Sequence, residues 1–119
     1  MKIATVLAAL AAAPVYADCV MPNPPKIPDG ATATLDEMKG AQQSMREYND
    51  LIKAYTDCLG LEATKEMTAA KNAKVSDEER KKLENAQAQK NNSAVDQATE
   101  VTARFNEQVR IYKARASKG

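Results

Sequence analysis

The feature that most constrains the fold is a stripe of apolar residues spaced alternately three and four positions apart. Its members are Met38, Ala41, Met45, Tyr48, Ile52, Tyr55 and Leu59. This spacing puts all seven side chains on one face of an α-helix, as at the a and d positions of a coiled-coil heptad. The chain is therefore predicted to contain a long amphipathic helix that must pack against another element.

Two helix starts can be recognised from their capping residues. Thr34 is followed three residues later by Glu37, and Ser76 is followed in the same way by Glu79. In this pattern the hydroxyl accepts a hydrogen bond from the backbone three residues on, and the carboxylate reaches back to the capping residue. Helical periodicity follows both starts, so the sequence predicts two long helices.

The fold class predicted from these signals is all-α, a long antiparallel helical hairpin with arms at about 34–74 and 76–115 and a disordered tail at 116–119. Gly60 interrupts the first arm, which we expect to continue as one helix with a weak point there. Gly60 falls opposite Asn91 in the hairpin, which suggests a hinge, a crossing of small residues, or a coincidence.

A turn near Val75 also predicts the register of the two arms. The numbers of facing residues should add up to about 150 in such an antiparallel pair. Met45 would then lie opposite Phe105, and Ile52 opposite Ala98. Methionine–aromatic contacts are modestly favourable, which agrees with the first of these pairs.

The segment before the first helix is predicted to be an extended arm, residues 18–33. It contains four prolines, which exclude a helix, and it ends in a turn at Pro28-Asp29-Gly30. The arm is long enough to run antiparallel along the first helix, since an extended chain covers about 3.1 Å per residue. Val20, Met21 and Ile27 would then cover part of the apolar face of that helix.

The two cysteines, Cys19 and Cys58, lie in the arm and near the end of the apolar stripe. An even number of cysteines in an exported chain favours one structural disulfide. A redox site is less favoured, because the pair is not a C-x-x-C motif and no neighbour in the sequence would lower a thiol pKa. The sequence thus predicts an arm that a disulfide attaches to the first helix.

Residues 1–17 have the features of an export signal. Lys2 is followed by an apolar run that is too short to span a bilayer, and Val15-Tyr16-Ala17 has the pattern of a cleavage site. Asp18 directly precedes Cys19, which argues against a lipoprotein signal. We expect cleavage after Ala17 and a periplasmic or secreted protein.

The composition excludes several classes of function. The chain has 17 basic and 16 acidic residues and lacks histidine, so nothing in its charge indicates a nucleic-acid partner. No catalytic, cofactor-binding or metal-binding motif is present, and no enzymatic activity, cofactor or metal is predicted. Outside residues 1–17, only 21 of the 102 residues are Val, Ile, Leu, Met, Phe or Tyr. A helix pair with so thin a core needs the arm, a second copy or a partner protein as a supplement.

One candidate binding site is the basic end of the second helix, Arg110, Lys113, Arg115 and Lys118. Such a cluster could bind an anionic membrane or lipopolysaccharide surface. A solvated helix end is the alternative explanation, because cations are favoured near the negative end of the helix dipole.

The N-terminal half resembles a family of small exported bacterial proteins of unknown activity. The resemblance is carried by the Cys19 arm, residues 27–32, the pair Glu37-Met38 and the pattern Tyr55-x-x-Cys58-Leu59. It implies export, a disulfide and a first helix, and it implies no activity. We therefore expect a non-enzymatic cell-envelope protein that acts through protein–protein interaction or self-association, as a homodimer or with an envelope partner. Surface binding through the basic helix end is the alternative.

Overall fold

The computed structural model describes residues 19–118 and shows an all-α fold. Helix α1 comprises Leu35–Asn72 and helix α2 comprises Asp77–Ala116, with no strand among the described residues. The predicted helical hairpin is confirmed. The predicted export signal and its cleavage site lie outside the described residues. Helix α2 enters the segment predicted to be a disordered tail by one residue, and Ser117 caps it.

The helix ends are fixed by short-range hydrogen bonds. The Thr34 hydroxyl accepts from the backbone N–H of Glu37 at 3.1 Å, and the Thr34 N–H donates to the Glu37 carboxylate at 2.8 Å. These two bonds form the predicted capping box of α1. At the start of α2 the Ser76 hydroxyl accepts from the N–H of Glu79 at 3.2 Å.

The end of α1 has the hydrogen bonds of a Schellman motif. Lys74 has a φ of 51°. Its N–H donates to the Lys71 carbonyl, and the Val75 N–H donates to the Ala70 carbonyl, both at 3.2 Å. This left-handed residue reverses the chain and turns it towards Ser76. Lysine pays about 1 kcal/mol for a conformation that glycine adopts freely.

The core forms where the apolar stripe of α1 meets α2. Met45 and Ile52 from α1 and Val101 and Phe105 from α2 are buried in one cluster, with Ala98 packed against it. The predicted partners of Met45 and Ile52 therefore lie in the same cluster as these residues. Tyr55, the last aromatic residue of the stripe, is only half-buried.

The arm lies in the groove between the two helices, whereas the sequence predicted contact with α1 alone. Cys19 is bonded to Cys58 of α1, and the Gln97 side chain of α2 donates to the Pro22 carbonyl at 3.3 Å. The arm thus runs antiparallel to α1 and parallel to α2. It forms a third layer over the core cluster.

Two of the three arm residues predicted to cover the core do so. Met21 and Ile27 pack against the cluster, but Val20 is 79% exposed. The prediction for Val20 was wrong because neighbouring side chains of an extended chain point to opposite sides. Since Met21 faces the helices, Val20 faces away.

The hairpin therefore has two halves. The arm-covered half contains residues 19–58 and 94–116, and the distal half contains residues 59–93. In the distal half the helices are joined by polar contacts: the Gln87 amide donates to the Glu66 carboxylate at 2.8 Å, and Lys90 lies 3.7 Å from Glu62.

Gly60 does not mark a close helix crossing. Helix α1 passes through it without interruption, and a Cβ at this position would have no neighbour within 4 Å. The suggested crossing of small residues near Gly60 and Asn91 is therefore wrong, because the two helices do not approach each other closely at this glycine.

Candidate functional site

The disulfide attaches the start of the arm to the middle of the hairpin. Cys19 and Cys58 are joined across a Cα–Cα distance of 5.8 Å and close a loop with a sequence separation of 39. Both residues are half-buried. The predicted disulfide between the arm and α1 is confirmed, and its position marks the boundary of the third layer.

The other end of the arm docks on α2 through Gly30. This residue is buried, and its N–H donates to the side-chain oxygen of Gln108 at 2.8 Å. A Cβ at Gly30 would overlap the backbone carbonyl of Gln108. The Asp29 carboxylate accepts from the Ala31 N–H at 2.9 Å and holds the turn in shape. Only glycine allows the turn to approach α2 so closely.

Gln97 links all three layers of the arm-covered half. Its amide donates to the Tyr48 hydroxyl at 3.1 Å and to the carbonyl of Pro22. Tyr48 is only 2% exposed, so its hydroxyl is a buried polar group that this bond satisfies. We did not single out Gln97 or Gln108 in the sequence. Their spacing is the one indication in the sequence: Gln97 lies four residues before Val101 and Gln108 seven after it, which puts both on the helix face that carries the core.

The predicted basic cluster is partly used within the chain. The Arg110 guanidinium binds the Glu107 carboxylate at 2.6 Å. This hydrogen bond lowers the pKa of Glu107 and raises the pKa of Arg110. Arg115 donates to the Ala33 carbonyl at the end of the arm and lies 5.2 Å from the centre of the Tyr112 ring.

Lys113 and Lys118 remain exposed to solvent. Neither forms an ion pair or a side-chain hydrogen bond within the part of the chain that the structure describes. The structure thus divides the four candidate cations into two arginines with internal partners and two exposed lysines.

An exposed apolar surface lies beside the disulfide. It consists of Leu51, Ala54, Cys58 and Leu61 on α1, and we call it the apolar seam. Leu51 is 56% exposed and Leu61 is 68% exposed. Val20 of the arm shares a shallow depression of about 550 Å³ with Leu51 and Ala54. Clustered exposed apolar side chains of this kind typically mark an interaction surface.

A second surface lies at the closed end of the hairpin. A groove of about 660 Å³ has an apolar floor that includes Met67, Ala70 and Val75, and its rim carries Lys71 and Lys74. None of the residues that line this groove is acidic. Its chemistry suits a ligand that is both apolar and anionic.

The described residues hold neither a candidate metal site nor a membrane-spanning helix, and the chain matches no known protein. Between residues 19 and 118, no three potential metal-ligating side chains are grouped together. None of the described helices is long and apolar enough to span a membrane. Comparison of the chain with family models, with curated proteins and with solved structures finds no match.

Proposed function

We propose that the protein is an exported, non-enzymatic component of the cell envelope that acts by binding another protein surface through its helical hairpin. The observation that carries this proposal is the apolar seam. Leu51 and Leu61 are exposed on a chain whose core is thin. A protein with so few large apolar residues gains stability by burying them, so two exposed leucines on one helix face favour a partner.

The polar side chains of the arm-covered half support a structural role. Each of three polar side chains on α2 has a partner in the core or the arm. Gln97 bonds to the Tyr48 hydroxyl, Gln108 to the backbone of Gly30, and Arg115 to the backbone of Ala33. Each of these contacts holds the arm in place over the helices. The same groups therefore serve packing.

The disulfide supports the proposed location. Disulfides form and persist in oxidising compartments such as the periplasm or the extracellular space. Cys19 would be the second residue of a chain cleaved after Ala17, and its disulfide with Cys58 suits such a compartment. Intact-mass measurement of the protein from the periplasmic fraction should give the oxidised chain beginning at Asp18. A chain that retains residues 1–17, or that carries two free thiols, contradicts this part of the proposal.

Photo-crosslinking in intact cells tests the interaction. A photoreactive amino acid at Leu51 or Leu61 should give a crosslinked protein adduct in the envelope fraction. Leu35 provides the matched control, because it is also an exposed leucine of α1, at 51%, but lies outside the seam. Absence of adducts at both seam positions, or the same adducts at Leu35, contradicts the proposal.

A second candidate function is binding to an anionic membrane or lipopolysaccharide surface. The groove at the closed end of the hairpin favours it, because Lys71 and Lys74 border an apolar floor. The predicted basic end of α2 is less suited, since two of its four cations have partners within the chain.

Vesicle flotation separates these two cationic sites. With vesicles that contain phosphatidylglycerol, Lys71→Gln with Lys74→Gln should abolish binding if the groove is the site. Lys113→Gln with Lys118→Gln removes the same charge and is the matched control. Loss of binding in the control alone would assign the function to the end of α2.

A further inference from the structure

We infer that the apolar seam of α1 pairs with the same seam of a second copy, in an antiparallel two-fold arrangement. This inference rests on the proposed function and names its partner. Leu51, Ala54, Cys58 and Leu61 are the contact positions on each copy.

The spacing of the seam is that of a helix face that can pack against another helix. Its residues follow one another at intervals of three, four and three positions. The stripe that α2 covers has the same spacing. Leu51 and Cys58 directly precede the stripe residues Ile52 and Leu59, so the seam lies about 100° around the helix from the buried stripe. Helix α1 thus carries two heptad faces, and the fold covers one of them.

A two-fold axis makes the seam complementary to itself. In an antiparallel pair centred between Ala54 and Cys58, Leu51 of one copy lies opposite Leu61 of the other. Ala54 then lies opposite Cys58 of the second copy. A symmetric dimer requires such reciprocal contacts.

Charges at the two ends of the seam select the antiparallel orientation. One further step of the same spacing reaches Glu47 at one end and Lys65 at the other, and both residues are exposed. In the antiparallel pair Glu47 faces Lys65 of the second copy, twice by symmetry. A parallel pair would place Glu47 against Glu47 and Lys65 against Lys65, which is repulsive.

The arm adds an apolar side chain to this interface. The disulfide holds Val20 next to Leu51, where both residues line the same depression. Val20 is 79% exposed in the single chain. A disulfide at Cys58, near the centre of the seam, brings Val20 to this interface, whereas a disulfide at the end of α1 would not.

Sedimentation velocity tests the dimer on the exported protein, purified with the disulfide intact. We expect a concentration-dependent dimer at about 10–200 µM, the range of a weak and specific association. Leu51→Glu with Leu61→Glu should weaken it by more than about tenfold, because both leucine–leucine contacts of the symmetric pair are lost. Leu35→Glu with Val95→Glu is the matched control, since it changes two exposed apolar residues outside the seam. Circular dichroism should show equal helicity for both variants.

Charge reversal tests the orientation. Glu47→Lys alone should weaken the dimer by about three- to tenfold, the effect of losing two exposed ion pairs and gaining repulsion. Adding Lys65→Glu should restore the original affinity. An unchanged dimer after Glu47→Lys, or no recovery in the double variant, overturns the antiparallel pairing.

Two further outcomes overturn the second copy as partner. One is a monomer at every concentration tested, and the other is a dimer that the two leucine substitutions leave intact. A monomer in solution combined with crosslinks from Leu51 to a different envelope protein would reject the dimer and leave the proposed function standing.

Discussion

The two halves of the hairpin use the same helices but are held together differently. In the arm-covered half, Met45, Ile52, Val101 and Phe105 form a buried cluster that the arm closes with Met21 and Ile27. In the distal half, Met67 and Leu83 are only half-buried, and the polar pairs Glu66–Gln87 and Glu62–Lys90 join the helices.

The comparison shows what the arm contributes. Two helices in contact leave one side of each apolar stripe open to water, and a third layer must cover it. A proline-rich segment can provide that layer because the extended chain is thin and its prolines lower the entropy cost of ordering. In the distal half, the partly buried Gln87–Glu66 hydrogen bond and the more exposed Glu62–Lys90 ion pair contribute less stability than a buried apolar cluster. We therefore expect the arm-covered half to be the more stable one.

The largest expected effect comes from removing the disulfide. Cys19→Ser with Cys58→Ser opens the loop and should lower the free energy of unfolding by about 4 kcal/mol on the chain-entropy account. Chemical denaturation of the oxidised protein and of the variant measures the difference. Equal stability of the oxidised protein and the variant, with the disulfide shown intact in the former, would contradict a stabilising role for the disulfide.

Matched methionines compare the two cores. Met45→Ala removes a buried side chain and should cost about 3 kcal/mol, whereas Met67→Ala removes a half-buried one and should cost about 1 kcal/mol. Both residues lie on α1, so helix propensity changes equally in the two variants. Equal losses in thermal and denaturant unfolding would mean that the distal half is packed as well as the arm-covered half.

Matched glycines should respond with opposite signs. Gly30→Ala forces a methyl group into the carbonyl of Gln108 and should destabilise the fold by about 2 kcal/mol. Gly60→Ala meets open space in a helix interior and should stabilise it by about 0.5–1 kcal/mol. Destabilisation by Gly60→Ala would mean that the helices approach at that position after all.

Matched glutamines give the smallest expected difference. Gln97→Ala leaves the buried Tyr48 hydroxyl without its partner and should cost about 1.5 kcal/mol. Gln87→Ala breaks a partly buried hydrogen bond to Glu66 and should cost less, about 0.5–1 kcal/mol. Tyr48→Phe in the Gln97→Ala background should recover part of the loss, because it removes the unsatisfied hydroxyl.

The helices could be predicted from the sequence because their signals are local. The heptad spacing from Met38 to Leu59, and the capping residues Thr34 and Ser76, act within a few positions of the chain. The disulfide could be predicted because the chain has only two cysteines. The pairing of Met45 with the region of Phe105 followed from the position of the turn alone.

The place of the arm between the helices could not be predicted in the same way. It depends on long-range contacts of single residues, Gly30 with Gln108 and Arg115 with Ala33. From the sequence, Arg115 belongs to the basic cluster at the end of α2, because cations are favoured near the negative end of the helix dipole. Nothing near it in the sequence indicates its bond to Ala33. The apolar seam cannot be predicted from the sequence either, since only the fold shows that neither α2 nor the arm covers Leu51 and Leu61.

Native-state hydrogen exchange tests the central claim most directly, because it measures stability residue by residue. In the oxidised protein, amides at 41–55 and 97–109 should exchange more slowly than amides at 62–71 and 80–92. In Cys19→Ser with Cys58→Ser, protection of the first group should fall to the level of the second. Equal protection along both helices, or a difference between the halves that survives loss of the disulfide, would contradict the claim that the stapled arm stabilises one half of the hairpin.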